Sequence, residues 1–270
     1  MKLRLKFMPT TGLEQAGNQK LSFTVPESSK SRFAGKIRYW WSWAAAGAML
    51  LVVGLPSLLF LWLINKRRAL YPIALWGART WLRACGTTVS VRGLEILEAD
   101  TEYVFASNHR SYLDTATLFA YAGKRIGLVA KKELLKAPVL GQGMSFVNII
   151  AIDRSNPERA RRSMEKARQV MDDGYSFGVF VEGTRAMPGE LLPFKKGAFH
   201  LAIQTQAPIV PVAIKYTDVL MGKHTGVAYG GEIEMVLLPP IATKGLTADD
   251  VMELLLATRE AIASELRENG

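Results

Sequence analysis

The sequence predicts an α/β domain with a mixed, largely parallel sheet flanked by helices, preceded by a helical anchor apolar enough to be membrane-embedded. Short β-rich runs alternate with helical ones after Gly86, and residues 39–64 form a long run without charge. We therefore divide the chain into a flexible basic tail (1–38), a membrane anchor with an interfacial helix (39–86) and a catalytic domain (87–270).

Charge is distributed unevenly along the chain. Positions 1–100 hold 14 of the 34 basic residues but 5 of the 24 acidic ones, and no acidic residue lies between Glu27 and Glu95. A segment of one sign suits either nucleic acid or anionic lipid. The 26 uncharged residues from Tyr39 to Ile64 favour lipid, because a helix that spans the hydrocarbon core of a membrane needs about 20 apolar residues. We expect a membrane partner and no nucleic acid.

The anchor can take two forms. Tryptophans stand near both ends of the apolar run and basic residues 66–68 follow it, as membrane interfaces favour. Gly54 and Pro56 permit either one kinked span or two short helices in a single leaflet. Residues 70–86 place arginines between apolar positions, which is typical of an interfacial amphipathic helix. Residues 1–38 are polar and read as a flexible tail.

The catalytic domain contains seven candidate strands and five candidate helices. The strands are 87–93, 102–108, 125–131, 148–154, 177–183, 208–216 and 231–238. The helices lie near 111–122, 133–144, 157–173, 197–206 and 248–267. The third helix is the best delimited, since Asn156 can cap it, Pro157 fits its first turn and Gly174 can end it.

Several classes of site are disfavoured. The lone Cys85 excludes an intramolecular disulfide, and three scattered histidines do not form a zinc cluster, so we expect neither metal nor cofactor. The chain lacks the G-x-S-x-G elbow, H-E-x-x-H, G-x-G-x-x-G and Walker patterns. The remaining use for a histidine base is direct activation of a substrate hydroxyl, without a covalent enzyme intermediate.

The stretch "SNHRSYLDT" places His109 five residues before Asp114. Ser111 and Asp114 form a capping-box pattern, so His109 should lie in the loop before a helix, where its ring can fold back toward the carboxylate. A carboxylate bonded to one ring nitrogen leaves the other free as a base. The alternative is a helix cap beside an ordinary loop histidine, and this segment alone leaves both open.

Four strand ends carry charged groups. The stretch "FVEGTRA" puts Glu182, Gly183, Thr184 and Arg185 after a strand, where open α/β sheets bind ligands; the alternative is a polar turn with a solvated arginine. The other ends deliver His109, Lys131 and Arg154, although Arg154 could simply pair with Asp153. If the sheet gathers these ends, a base stands among three cations, a site for a hydroxyl compound bearing phosphate.

Four blocks of the chain, in order, resemble the glycerophospholipid acyltransferase family, typified by the lysophosphatidate acyltransferases. They are "NHRSYLD", "NIIAIDR", "FVEGTRA" and "APIVPVAI", which together cover residues 107–214. The first resembles the family's N-H-x4-D block and the third its F-P-E-G-T-R-S block. Two departures from the third block stand out, Val181 for the usual proline and Ala186 for the usual serine.

The resemblance implies a role for each matching residue. His109 would be the general base and Asp114 its orienting carboxylate. Arg185 and Lys131 would bind the substrate phosphate, with Arg154 lining the site. Three further residues would shape the acceptor site: Glu182, Gly183 and Thr184.

The resemblance also implies an activity. The free hydroxyl of 1-acyl-glycerol-3-phosphate would attack the thioester of acyl-CoA or acyl carrier protein, giving phosphatidic acid at the cytoplasmic face of the cell membrane. Another lysolipid acceptor, such as a lyso-ornithine lipid, is the alternative within the family. A membrane-surface scaffold that binds anionic lipid without catalysis is the alternative outside it.

Overall fold

A seven-stranded mixed sheet forms the centre of the computed structural model, which describes residues 17–25, 29–131, 139–152 and 157–268. The strands are β1 Leu21–Ser22, β2 Thr87–Arg92, β3 Val104–Ser107, β4 Ile126–Lys131, β5 Ile149–Ile152, β6 Ser176–Phe180, β7 Glu190–Leu191, β8 Ile209–Lys215 and β9 Gly231–Leu237. The order in the sheet is β2-β9-β8-β3-β6-β4-β5, and β1 pairs with β7 in a separate two-stranded sheet.

The helices surround this sheet. They are α1 Arg32–Met49, α2 Leu55–Leu63, α3 Leu70–Ala84, α4 Tyr112–Tyr121, α5 Leu140–Met144, α6 Pro157–Asp172, α7 Gly197–Thr205, α8 Thr217–Met221 and α9 Val251–Arg267. A π-helical turn at Leu50–Gly54 joins α1 to α2. The mixed, largely parallel sheet flanked by helices confirms the predicted fold class.

Both faces of the sheet are buried because apolar side chains alternate along the central strands. In β3, Val104 and Ala106 belong to one apolar cluster, whereas Phe105 belongs to the other. Helices α3 and α4 contribute to the cluster with Phe105, and α6, α7 and α9 contribute to the opposite one. Continuous apolar runs of this kind are expected of parallel strands covered on both sides.

Strand direction gathers the functional loops at one edge. Strands β8, β3, β6, β4 and β5 are neighbours and all run parallel; among the described strands of the main sheet, the antiparallel pair is β8–β9. Strand β6 follows β3 by about 70 residues in the chain, yet Ser107 at the end of β3 lies opposite Phe180 at the end of β6. The loops that leave these two strands therefore meet, as expected for the ligand-binding edge of an α/β sheet.

The anchor is one continuous helical run. Among the described residues, Arg32–Leu63 is the helical stretch long and apolar enough to cross a membrane, by length and composition. Gly54 has helical backbone angles, so the run is continuous through Gly54 and Pro56 instead of forming two separate helices. Large apolar side chains stand exposed along it, with Trp40 71% and Val52 72% exposed.

The predicted flexible tail is corrected in part. The tail expected over residues 1–38 is not uniformly without structure, because Leu21 and Ser22 pair with β7 and the first helix begins at Arg32. Helix α3 contributes to the core: Leu70, Tyr71 and Leu82 are buried, while Trp76 remains 49% exposed. Its expected place at a membrane interface stays a prediction.

The other predicted helices agree to within a few residues at each end. Of the helix expected near 133–144, the part at Leu140–Met144 is observed, while 132–138 lie outside the described residues. Asn156, the expected cap of α6, also lies outside them, and Gly174 follows that helix with φ +82°. The five-residue helix α8 and the two-residue strands β1 and β7 were not predicted.

Asn108 locks the end of β3 to β8. Its buried side chain donates from Nδ2 to the Ile214 carbonyl at 2.9 Å and accepts from the Ile214 N–H at 2.8 Å. These two bonds continue the parallel pairing beyond Ser107 and Val212, where the backbone of β3 turns away. Because His109 is the next residue, this amide sets where the loop with His109 begins.

We predict that Asn108→Ala lowers the free energy of unfolding by about 2–6 kcal/mol, because it leaves two buried backbone groups without partners at about 1–3 kcal/mol each. Denaturation in detergent micelles measures this effect. Ser90→Ala, which removes a long 3.5 Å contact to the Ile233 carbonyl, should cost less than about 0.5 kcal/mol. Equal stability of Asn108→Ala and the parent would contradict the proposed lock.

Candidate active site

His109 lies in the loop between β3 and α4, with its ring turned back over the start of the helix. Its Nδ1 is 3.0 Å from Asp114 Oδ2. The ring is largely enclosed, with 15% of the side chain exposed, and Asp114 is fully buried. The predicted capping box is present at Ser111 and Asp114, and the His109 ring folds back to Asp114 as expected; the role of the pair as a base stays a prediction.

One carboxylate oxygen organises this loop. Asp114 Oδ2 accepts from the backbone N–H groups of Arg110 at 2.6 Å and Ser111 at 2.7 Å, in addition to its contact with His109. An acceptor on Nδ1 fixes the tautomer with the proton on that nitrogen. Nε2 is thereby left as the ring nitrogen that can take a proton from a substrate.

Phe180 holds the plane of the imidazole. The two rings are stacked, with centroids 4.1 Å apart and planes 20° from parallel. Phe180 is the last residue of β6 and is buried. The His109 ring is therefore fixed by a hydrogen bond in its plane and by an aromatic contact on its face. Sequence reasoning did not single out this residue, because its role depends on β6 lying beside β3.

Glu182 is a structural bridge beneath the loop. It is 1% exposed, and its two oxygens accept from the backbone N–H groups of His109 and Leu192, each at 2.6 Å. Burial raises its pKa to about 8, while these two N–H groups and the Arg110 guanidinium act in the opposite direction. With both oxygens occupied, Glu182 shapes the site by holding its backbone.

Arg185 lies on the same edge of the sheet as His109. Its guanidinium carbon is 3.7 Å from the centroid of the Tyr112 ring, and the Lys223 ammonium donates to its carbonyl at 2.7 Å. The next residue, Ala186, donates from its N–H to the His109 carbonyl at 2.7 Å. The loop after β6 is thus tied to the loop after β3, as the sequence predicted for these two strand ends.

Gly183 and Thr184 form the turn between Glu182 and Arg185. Gly183 has φ +75°, a conformation that glycine adopts without strain, and Thr184 is exposed. This turn reverses the chain between a buried glutamate and a partly exposed arginine. Its position at the edge of the site agrees with the expected shaping of the acceptor site, which remains a prediction.

The two remaining predicted cations are not fully described. Lys131 is the last residue of β4, and β4 pairs with β6 through Leu128 and Gly178, so its backbone lies at the same edge of the sheet; its side chain lies outside the described part of the chain. Arg154 also lies outside the described residues. The expected contributions of both to phosphate binding stay predictions.

Arg110 is a further charged residue of the loop, and it has a structural use. Its guanidinium donates to the Glu190 carbonyl at 2.8 Å and pairs with buried Asp218 at 3.1 Å. Asp218 also accepts from the Gly189 N–H at 2.9 Å. This pair fixes the segment that follows Arg185, and the sequence carried no signal for it because Asp218 is 108 positions away.

Comparison with known proteins places this arrangement in a family. A family model described as "Acyltransferase" matches residues 88–215. The 1-acyl-sn-glycerol-3-phosphate acyltransferase of Limnanthes alba is 36% identical over 211 residues, which cover 77% of this chain and 72% of that protein. The chain belongs to the acyltransferase family.

Two further proteins are similar to this chain, one in sequence and one in structure. The 1-acyl-sn-glycerol-3-phosphate acyltransferase alpha of Mus musculus is 38% identical over 185 residues, 68% of this chain, and the chain spans 65% of the length of that relative. The crystal structure of the 1-acyl-sn-glycerophosphate (LPA) acyltransferase PlsC from Thermotoga maritima has the same fold, with a TM-score of 0.75 at 23% identity over 87% of this chain and 96% of that one.

One of the two departures from the acyltransferase pattern, Val181, has a visible local consequence. The Val181 N–H donates to the Ser107 carbonyl at 3.1 Å, a bond that the usual proline could not make because it lacks that hydrogen. Ala186 is buried, and its backbone N–H bonds the His109 carbonyl. Val181 therefore adds one hydrogen bond between β3 and β6 directly below the site.

We predict a specific pH dependence of stability from Glu182. Its folded-state pKa of about 8 lies above the ordinary 4.5, so the folded protein binds this proton more tightly than the unfolded chain does. That contribution is complete below pH 4.5 and is lost as the pH rises toward 8. Glu182→Gln keeps a neutral side chain and lacks this dependence.

Thermal midpoints of parent and variant, measured in detergent across this pH range, test the effect. The advantage of the parent over Glu182→Gln should shrink steadily with rising pH. Glu232→Gln, which changes an exposed glutamate on β9, two strands from β3, is the control. A difference between the parent and Glu182→Gln that stays constant with pH would contradict the assignment.

Proposed function

We propose that the protein transfers an acyl group from an acyl thioester to the free hydroxyl of 1-acyl-glycerol-3-phosphate, giving phosphatidic acid. The observation that supports this most strongly is the His109–Asp114 contact of 3.0 Å beside a loop that carries Arg185. A base and a phosphate-binding cation on one edge of the sheet fit an acceptor with a hydroxyl and a phosphate. The two relatives that are 1-acyl-sn-glycerol-3-phosphate acyltransferases support the same acceptor.

His109 supplies the base in this reaction. With Nδ1 donating to Asp114, Nε2 takes the proton of the acceptor hydroxyl as the oxygen attacks the thioester carbonyl. The positive charge that develops on the imidazole lies against the buried Asp114 carboxylate, which stabilises it. The stacked Phe180 ring keeps Nε2 directed at the substrate.

Collapse of the tetrahedral intermediate completes the transfer. The carbon–sulfur bond breaks, and His109 returns its proton to the thiolate of the leaving carrier. The new ester bond joins the acyl carbon to the glycerol oxygen, so no proton is gained or lost overall. Acyl-CoA and acyl carrier protein both present the required thioester, and no further cofactor takes part in this scheme.

Membrane attachment follows from the nature of the acceptor. Lysophosphatidate and its product both remain in the bilayer, and the exposed apolar side chains of the Arg32–Leu63 helix suit contact with lipid. Excess basic residues on both flanks of that helix favour an anionic leaflet. We propose that the site works at the cytoplasmic face of the cell membrane, where it meets its thioester donor.

We predict that Asp114→Asn lowers kcat about 10²- to 10⁴-fold with little change in the KM for lysophosphatidate. The amide oxygen can still accept the backbone hydrogen bonds, but the negative charge that stabilises the imidazolium is gone. Release of free thiol measures the rate. Asp250→Asn alters a second capping box, at Thr247 and Asp250 away from the site, and should leave the rate unchanged. Equal kcat for Asp114→Asn and the parent would refute the role of this carboxylate.

A panel of acceptors tests the substrate. Purified protein in mixed micelles should release thiol with lysophosphatidate, and more slowly with lysophospholipids that carry larger headgroups or with a lyso-ornithine lipid. His109→Ala should reduce release with every acceptor to the background rate. Preference for another lysolipid would overturn the proposed acceptor, and release that survives His109→Ala would overturn the mechanism.

A further inference from the structure

The Arg185 guanidinium is held against an aromatic ring. Its central carbon lies 3.7 Å from the centroid of Tyr112, whereas the other cation–aromatic contacts among the described residues measure 4.9 to 5.9 Å. Tyr112 is the first residue of α4 and is 43% exposed. The contact therefore lies at the open edge of the site, between the capping box and the loop that carries Arg185.

The contact with the Tyr112 ring leaves the N–H donors of the Arg185 guanidinium available for hydrogen bonds. A ring under the flat face of the group attracts its charge, while the five N–H donors point outward in the guanidinium plane. Those donors are the ones that meet two phosphate oxygens side by side. A ring that fixes this plane reduces the freedom the side chain must lose when it binds a phosphate.

The backbone of Arg185 is fixed as well. The Lys223 ammonium donates a hydrogen bond to the Arg185 carbonyl at 2.7 Å. The N–H of the next residue, Ala186, donates to the His109 carbonyl at 2.7 Å. Within the described part of the chain, no carboxylate forms an ion pair with Arg185. Among the described residues, the Tyr112 ring is therefore the side-chain contact that orients the guanidinium.

Tyr112 is itself braced by the anchor helix. Its ring meets the Trp43 ring at 89° with centroids 5.3 Å apart. Trp43 in turn packs against Trp81 at 5.6 Å, and the Trp81 indole N–H donates to the Ser42 carbonyl at 3.1 Å. A continuous series of rings therefore joins the apolar helix of the anchor to the cation of the site.

We propose that Tyr112 is a positioning residue for the acceptor phosphate, acting through the plane and direction of the Arg185 guanidinium. The inference rests on the proposed function, because it takes lysophosphatidate as the acceptor. Tyr112 touches the cation and not the reacting atoms, so it should affect acceptor binding and leave the chemical step unchanged. The hydroxyl plays no part, because the contact is made by the face of the ring.

Steady-state kinetics of ring-removing and ring-preserving variants test this inference. Tyr112→Leu and Tyr112→Met remove the aromatic face and should raise the KM for lysophosphatidate about 3- to 30-fold, the range expected for a lost cation–aromatic contact. Values of kcat and of the KM for acyl-CoA should stay within about twofold of the parent. Tyr112→Phe keeps the face of the ring and should behave as the parent does.

Tyr121→Leu is the matched control. It lies at the other end of the same helix and removes the ring beneath Arg79, a contact of 5.3 Å away from the site. It should leave all three kinetic constants unchanged. Thermal midpoints of each variant show whether the fold is retained.

The outcomes separate this inference from the proposed function. If the parent protein fails to acylate lysophosphatidate, the proposed function is wrong, whatever the variants do. If the parent acylates it but Tyr112→Leu and Tyr112→Met keep the parental KM, Tyr112 does not position the cation. A rise in KM that Tyr112→Phe shares, or a fall in kcat without a change in KM, would equally overturn the inference.

Discussion

A single carboxylate oxygen, Asp114 Oδ2, meets three donors: two successive backbone N–H groups and the Nδ1 of His109. The backbone bonds start helix α4 and give the preceding loop its shape, and the third bond fixes the ring. Because the carboxylate is fully buried, its negative charge is stabilised by these three hydrogen-bond donors. Any shift of the loop would weaken those hydrogen bonds. The same carboxylate oxygen therefore both starts helix α4 and orients the His109 ring.

The surroundings of this carboxylate are built from distant parts of the chain. Asn108 fixes the end of β3 to β8, Phe180 covers the imidazole, and Glu182 holds the His109 backbone from below. Each of these contacts depends on β3 lying between β6 and β8 in the sheet. The sheet order thus fixes the position of His109, and the loop after β6 adds Arg185, the cation that we propose binds the phosphate.

Much of this architecture could be predicted from the sequence, and the remainder has identifiable causes. All seven strands of the main sheet and the His109–Asp114 geometry followed from local patterns, namely apolar runs and a capping box. The contacts of Phe180 and Tyr112 could not be predicted, because they join residues that only the strand order brings together. Strands β1 and β7 have two residues each, too short for any periodicity to show. The burial of Leu70, Tyr71 and Leu82 in helix α3 could not be predicted, because an amphipathic pattern does not identify what its apolar face contacts.

The central claim is that Asp114 fixes His109 with its proton on Nδ1 and leaves Nε2 as the base. Nitrogen-15 NMR of histidine-labelled protein in micelles tests it directly, since the chain has three histidines and variants of His200 and His224 assign the remaining signal. For the neutral His109 ring, we expect a protonated Nδ1 and an unprotonated Nε2. A neutral ring with its proton on Nε2 would contradict the proposed role of His109, because that nitrogen could not accept the proton of the acceptor hydroxyl.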